Sequence, residues 1–145
     1  MKKLLLGIAF VMASMGLKAQ ITTGKDVAIV ATDAGKVRGY IHSGIYTYKG
    51  IPYAEAARFE APHKPKPWAG VRSSMSYGPV SPLIDETTQI QDESEFVFNH
   101  NWGFTNEDCM RINVWTPGIN DGKKRPVMFW IHGGGFTAGS AIELP

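Results

Sequence analysis

The 145-residue chain is 43% hydrophobic and 19% charged, which suits one ordinary globular domain. Its formal charge of +2 comes from residues 1–19, which hold three lysines and no acid; the rest has 12 basic and 13 acidic side chains, a formal charge of −1. Such a balance argues against a nucleic-acid partner or an anionic membrane surface. Because Cys109 is the single cysteine, an internal disulfide is excluded. No paired Cys/His spacing indicates a metal, and we expect no cofactor.

The amino terminus has the pattern of a secretory signal peptide. Two lysines precede the apolar run of residues 4–15, which is shorter than the roughly 20 residues that a membrane-spanning helix needs. We predict that residues 1–19 are removed by cleavage after Ala19. Cleavage after Gly16 is the alternative, because Leu17 is larger than the usual residue at the third-last position. The mature protein is then expected to be exported, to the periplasm or outside the cell, without a membrane span.

The first part of the mature segment predicts a small antiparallel meander. Residues 27–30 and 37–41 read as two strands around a polar turn, and residues 45–48 read as a third strand with aromatic rings on alternate positions. Gly39, inside its strand, indicates a bulge or a close backbone approach. Pro52 fixes an extended exit from the third strand.

Two loops are expected to follow. Residues 60–82 contain five prolines, which favours an irregular ordered loop over a helix, and Trp68 is predicted to pin that loop to the core. Residues 83–106 are polar and acidic, with aromatic residues among them. They predict a long surface loop near a pocket.

The last third predicts two neighbouring strands. Residues 110–117 alternate in polarity, and a turn at residues 120–122 separates them from the apolar run 126–131. That uninterrupted run is typical of a strand buried on both faces of a mostly parallel sheet. Helical periodicity is absent after residue 19, so the helices that would cover such a sheet are not predicted within these residues.

The apolar run ends in three consecutive glycines, residues 133–135. Glycine lacks a Cβ, so successive N–H groups can converge on a small concavity where negative charge can sit. From these residues alone, an anion-holding loop and a plain glycine-rich turn are equally supported. A phosphate-binding loop is a third hypothesis. It is disfavoured because no Lys-Ser/Thr follows and the G-x-G-x-x-G spacing is missing.

Several motifs occur in order along nearly the whole mature segment. They are GKVRG at 35–39, KGIPYA at 49–54, RF at 58–59 before Pro62, PWAGV at 67–71, YGP at 77–79, NEDCMRINVWTP at 106–117, and PVMFWIHGGGF at 126–136 with Gly139 and Ser140. Together they resemble the type B carboxylesterases, the cholinesterase-like branch of the α/β-hydrolase fold. The resemblance implies an α/β fold class: residues 20–145 form the amino-terminal portion of an α/β-hydrolase, whose meander leads into the first strands of the central sheet.

The resemblance also implies a role for the glycines. In this family, the backbone N–H groups of Gly134 and Gly135 would hold the oxygen of a tetrahedral intermediate, together with an N–H just after the nucleophilic serine. A side chain there would occupy the space of the substrate carbonyl, so Gly135→Val is expected to abolish activity more than stability. His132 directly precedes the glycines, whereas the family's catalytic histidine lies far downstream. We therefore interpret His132 as structural.

Two further features of the family map onto this chain. Arg58 and Glu107 match positions that pair in family members, and the resemblance implies an ion pair between the meander and the loop before Cys109. If that pair were buried, loss of one partner would cost about 3–5 kcal/mol. Cys109 lies where many relatives close a disulfide. Because no partner cysteine exists here, we expect a small buried core residue.

The family's serine elbow, G-x-S-x-G, is not found in the 145 residues. Ser140 lacks the flanking glycine, and we interpret it as a cap or turn residue. We therefore expect the segment to be truncated before the nucleophile, inactive by itself and poorly stable alone. A monomeric, cooperatively melting product from residues 20–145 would contradict that expectation.

The implied function of the full-length form is hydrolysis of small-molecule carboxylic esters by a serine, through an acyl-enzyme. The alternative is a non-catalytic binding or adhesion protein of the same fold. The intact glycine triplet disfavours that alternative. The sequence names neither the ester nor the oligomeric state.

Overall fold

The computed structural model describes residues 20–82, 104–133 and 139–142, and these are dominated by short β-strands. The strands are β1 (Ile21–Thr22), β2 (Ile29–Ala31), β3 (Lys36–Arg38), β4 (Tyr40–His42), β5 (Ile45–Pro52), β6 (Val71–Ser73) and β7 (Arg111–Thr116). No helix is assigned within those three ranges. The predicted signal peptide, most of the 83–106 loop, and Gly134 and Gly135 lie outside the described residues.

The strands form two small sheets. One has the order β1-β4-β5-β7 with antiparallel neighbours throughout, and the other has the order β2-β3-β6, in which β3 and β6 run parallel. Both predicted antiparallel pairings are present, as β2 with β3 and β4 with β5. The structure differs from the prediction in one respect: the single strand predicted over residues 37–41 is divided between the two sheets.

Gly39 is the point of division. It lies between β3 and β4, and its N–H donates to the carbonyl oxygen of Ala28 at 3.0 Å, which extends the β2–β3 pairing by one residue before the chain enters the other sheet. A Cβ on Gly39 would lie 2.8 Å from Tyr48 Cδ1 and would overlap the carbonyl oxygen of Thr47. The predicted close backbone approach is therefore confirmed, because only glycine leaves room for β5 to pass.

The core lies where the two sheets meet. Its fully covered members are Val37 and Tyr48, with Ala28 beside them. Half-buried apolar side chains surround this group: Val27, Val30, Ile41, Tyr46, Ile51, Trp68 and Ile119. Burial raises the pKa of Tyr48, and the neighbouring Tyr46 adds to the effect. The Tyr48 hydroxyl has no hydrogen-bond partner within the described part of the chain.

Trp68 anchors the proline-rich loop, as predicted. Its Nε1 donates to the carbonyl oxygen of Lys36 at 3.0 Å, and its backbone N–H donates to Ala34 at 2.8 Å. The Arg72 guanidinium lies 4.3 Å from the Trp68 ring centroid. A Cβ on Gly35 would lie 2.5 Å from Trp68 Nε1, so a glycine is required there. The loop is not wholly irregular, because β6 forms within it and pairs with β3.

The pairing of β5 with β7 confirms the strand predicted over residues 110–117. Its register shifts between Tyr48 and Ile51, so that Lys49 and Gly50 together oppose Asn113. Gly50 takes a φ of +67°, which suits glycine. At this bulge the Gly50 N–H points away from the backbone of β7 and donates to the side chain of Asn113.

Replacing Trp68 by Ala should lower the free energy of unfolding by about 2–3 kcal/mol, because a half-buried indole loses its packing and its hydrogen bond. Urea unfolding followed by far-UV circular dichroism measures this loss. Trp115→Ala is the matched control, because Trp115 is 50% exposed on β7. It should cost less than about 1 kcal/mol. Equal losses for the two variants would contradict an anchoring role for Trp68.

Candidate functional site

The apolar run that leads to the glycines is exposed. Exposed fractions are 87% for Val127, 91% for Met128, 68% for Phe129, 67% for Trp130 and 75% for Ile131, and no strand is assigned to the run. The prediction of a buried strand at residues 126–131 is therefore wrong for this structure. Residues 126–131 form no strand, and no part of the described ranges packs over their side chains. Five consecutive exposed apolar side chains are typical of a segment that further protein covers.

A bidentate ion pair sets the turn from which the apolar run departs. Asp121 Oδ1 accepts from Arg125 Nη1 at 3.0 Å and from the Lys123 N–H at 3.1 Å, and Asp121 Oδ2 accepts from Arg125 Nη2. The hydrogen bond from Arg125 lowers the pKa of Asp121 to about 2, and the same contact raises the pKa of Arg125. Arg125 is thus paired with Asp121 within the loop that separates β7 from the apolar run.

The two ends of the glycine-rich segment meet. His132 Nδ1 lies 2.8 Å from the carbonyl oxygen of Gly133, and its side chain is exposed. Gly139, with a φ of +97°, packs against both: a Cβ there would lie 2.7 Å from His132 Nδ1 and would overlap the carbonyl oxygen of Gly133. Gly133 and Gly139, the described residues on either side of residues 134–138, therefore lie next to each other. His132 contacts backbone at this closure, which agrees with its structural interpretation.

A buried turn follows the closure. Ser140 is 5% exposed, and its Oγ accepts from the Ile142 N–H at 3.3 Å. Its hydroxyl therefore holds a turn, as interpreted from the sequence, and is not presented to a substrate.

Asn113 connects this turn to the sheet, and the sequence analysis misses it. Its Nδ2 donates to the carbonyl oxygen of Ala141 at 3.1 Å, while its Oδ1 accepts from the Gly50 N–H at 2.9 Å. The available signal is the residue type alone: Asn is depleted from strands, but a polar residue at position 113 fits the alternation of residues 110–117 and so draws no attention.

Arg58 and Glu107 are brought together. Arg58 Nη1 lies 3.1 Å from Glu107 Oε1, with side chains 69% and 54% exposed. The contact joins the segment after β5 to the segment before β7. Because both groups are solvated, the contact belongs to the class of surface ion pairs that contribute about 0–1 kcal/mol.

The described residues hold no candidate metal centre. No group of three or more His, Cys, Asp or Glu side chains is placed to bind an ion within them. Cys109 is free and half-buried, less buried than predicted. Within the same residues, no helix has the length and apolarity to cross a membrane.

Comparison with known proteins adds to this geometry. The model of the carboxylesterase family matches residues 26–144. Phenmedipham hydrolase from Pseudarthrobacter oxydans is 39% identical over 121 residues, which are 81% of this chain and 23% of the relative. Para-nitrobenzyl esterase from Bacillus subtilis is 36% identical over 124 residues, with coverage of 79% and 23%.

A solved structure shows the same relation. An esterase from Clostridium hathewayi, described as able to hydrolyse aliphatic aromatic polyesters, superposes with a TM-score of 0.76 at 41% identity, covering 87% of this chain and 24% of that one. The fold class and the resemblance predicted from the motifs are confirmed by these matches. The chain spans about a quarter of the length of the proteins it matches.

Arg58→Met should change the free energy of unfolding by less than about 1 kcal/mol, because water already solvates both charges of the pair. Glu107→Gln and the double variant complete a double-mutant cycle in urea unfolding. A loss of about 3–5 kcal/mol for either single variant would contradict a surface pair and indicate a desolvated one.

The carboxyl of Asp121 should titrate with a midpoint of about 2, below its ordinary 3.8, because Arg125 stabilises the charged form. A folded-state pKa below the unfolded one means that the stabilisation is present above pH 3.8 and is lost as the pH falls towards 2. Carbon-detected NMR titration measures the midpoint. In Arg125→Gln it should rise towards 3.8 but stay below it, because the Lys123 N–H still donates to the carboxylate; an ordinary midpoint in the unsubstituted protein would contradict the pairing.

Proposed function

The chain belongs to the carboxylesterase family, and from that premise we propose that the protein in its complete form hydrolyses small-molecule carboxylic esters. The reaction runs through an acyl-enzyme on a serine, and this segment contributes the oxyanion loop. The observation that carries the proposal is the contact between the two ends of the glycine segment, residues 133–139. At this contact Gly139 packs on His132 and Gly133.

Contact between the ends of the glycine segment supports oxyanion binding for a physical reason. Donors stabilise a developing negative charge best when they are already oriented, so that no reorganisation accompanies the reaction. The contact between Gly133 and Gly139 restrains the positions from which the glycine loop departs and to which it returns. Gly134 and Gly135 follow immediately after one fixed end, at Gly133. We propose that their N–H groups are two of the oxyanion donors.

The attacking group comes from elsewhere in this proposal. The 145 residues contain no G-x-S-x-G, and Ser140 is committed to its turn. The serine, acid and base are therefore assigned to the part of the domain that the relatives have beyond the matched quarter. The 145 residues alone are proposed to be inactive, and the exposed run 126–131 is proposed to pack against that remaining part.

The substrate class follows from the kind of relative that matches. The three relatives described above are named as a hydrolase or as esterases, and the substrates in their names differ. Their shared chemistry is what we carry to this chain. We therefore propose a carboxylic ester as substrate and no particular acid or alcohol part.

Gly135→Val in the complete protein should lower kcat for p-nitrophenyl acetate by about 10²–10³-fold or more, because the side chain displaces the carbonyl oxygen and the donor with it. The thermal midpoint should stay within a few degrees. Gly70→Ala is the control for lost stability without lost catalysis: a Cβ there meets nothing within 4 Å, but the φ of +75° strains alanine, so the thermal midpoint should fall while kcat stays unchanged. Normal ester turnover by Gly135→Val would contradict the assignment. Absence of both turnover and fluorophosphonate labelling in the unsubstituted protein would favour the non-catalytic binding protein.

We also propose that residues 1–19 direct export, on the basis of the charged start and apolar run described above. Mass spectrometry of the protein isolated from outside the cytoplasm should find Gln20 as the first residue, or Leu17 for the alternative cleavage. A cytoplasmic product that retains Met1 would contradict export.

A further inference from the structure

We propose that Asn113 is a positioning residue for the oxyanion loop, a role that rests on the proposed esterase function. Its side-chain amide spans the gap between the four-stranded sheet and the turn that closes the glycine segment. The two contacts reach residues 63 and 28 positions away in the sequence, so the side chain joins three separate parts of the chain.

The contact with Gly50 fixes which way the amide points. An N–H group can only donate, so the Gly50 N–H meets the amide oxygen, and the amide nitrogen is left to face the carbonyl oxygen of Ala141. Gly50 itself cannot shift easily. A Cβ on it would lie 2.7 Å from the backbone nitrogen of Gly78, which shows how closely the bulge packs on the loop after β6.

The contact with Ala141 links the Asn113 amide to one end of the glycine segment. Ala141 lies in the turn held by the Ser140 hydroxyl, and Gly139, two residues before it, packs directly on Gly133. A short set of contacts, part-buried at Gly50 and exposed at Ala141, thus runs from the β5 bulge through Asn113 to the end of the segment. The other end follows the exposed run 126–133, which pairs with no strand among the described residues.

The consequence for catalysis follows from the tolerance of oxyanion donors. A displacement of about 1 Å at a reacting centre can lower a rate on the order of 10²-fold. Without the Asn113 amide, the turn at residues 139–142 loses its bond to the sheet. Its shift would move Gly139 and, through the contact of Gly139 with Gly133, the residue that immediately precedes the proposed donors in the sequence, while the substrate still binds.

Two substitutions separate the bonds. Asn113→Ala removes both. Asn113→Asp keeps the acceptor for the Gly50 N–H but replaces the donor to Ala141 by a carboxylate oxygen, which faces a carbonyl oxygen. Val114→Ala is the matched control, because Val114 is the next residue on β7 and points to the other face of the sheet.

The test uses the complete enzyme, with active sites counted from the burst of p-nitrophenol. Both Asn113 variants should lower kcat per active site about 10–100-fold with KM within about twofold, and a trifluoromethyl ketone inhibitor should weaken by the same factor. That ketone reports on the donors because serine addition to its carbon places the negative charge on its oxygen. Val114→Ala should leave kcat per site unchanged. A smaller burst with unchanged kcat per site in the Asn113 variants would overturn the proposal.

Failure of the esterase function itself gives a different result. In that case the unsubstituted protein shows no burst, and the catalytic part of the inference falls with it. Amide hydrogen exchange at residues 139–142 then decides the positioning part. Both variants should lose protection there by about tenfold relative to Val114→Ala, and equal protection in all three proteins would overturn the role of Asn113.

Discussion

The antiparallel pairing of β5 with β7 supports both the core and the candidate site. It joins residues that are 59 to 70 positions apart in the sequence, so its contacts must offset the entropy of closing a long loop. Tyr48, on β5, is buried in the core, while Asn113, on β7, reaches the turn beside the glycines. The bulge between Tyr48 and Ile51 allows this one strand pair to contribute both to the core and to the candidate site. At the bulge, the Gly50 N–H donates to the side chain of Asn113 instead of to the backbone of β7.

Features set by local sterics could be predicted from the sequence. Alternating polarity predicts β5 and β7, and the missing Cβ of Gly39 predicts a close approach. The division of residues 37–41 between two sheets could not be predicted, because register and partner depend on which strands are present to pair. The bulge at Lys49 and Gly50 is of the same kind. Its position is fixed by the opposing Asn113 and by the loop around Gly78.

The candidate site shows a second limit. The hydrophobicity of residues 126–131 indicates that these side chains are buried by other protein. It does not indicate which part of the protein buries them, and none of the described residues does so. The two hydrogen bonds of the Asn113 side chain could not be predicted from the sequence, because its partners are backbone atoms that lie far from it along the chain. The resemblance supplied the pairing of Arg58 with Glu107 but not its exposure, which depends on how the surrounding loops pack.

The most direct test of the oxyanion role is a crystal structure of the complete protein after covalent reaction with an alkyl phosphonate. The phosphonyl oxygen stands for the oxyanion of the tetrahedral intermediate. It should lie about 2.7–3.1 Å from the backbone nitrogens of Gly134 and Gly135. A phosphonyl oxygen that points to solvent or to other donors, with those nitrogens turned away, would contradict an oxyanion role for the glycine loop.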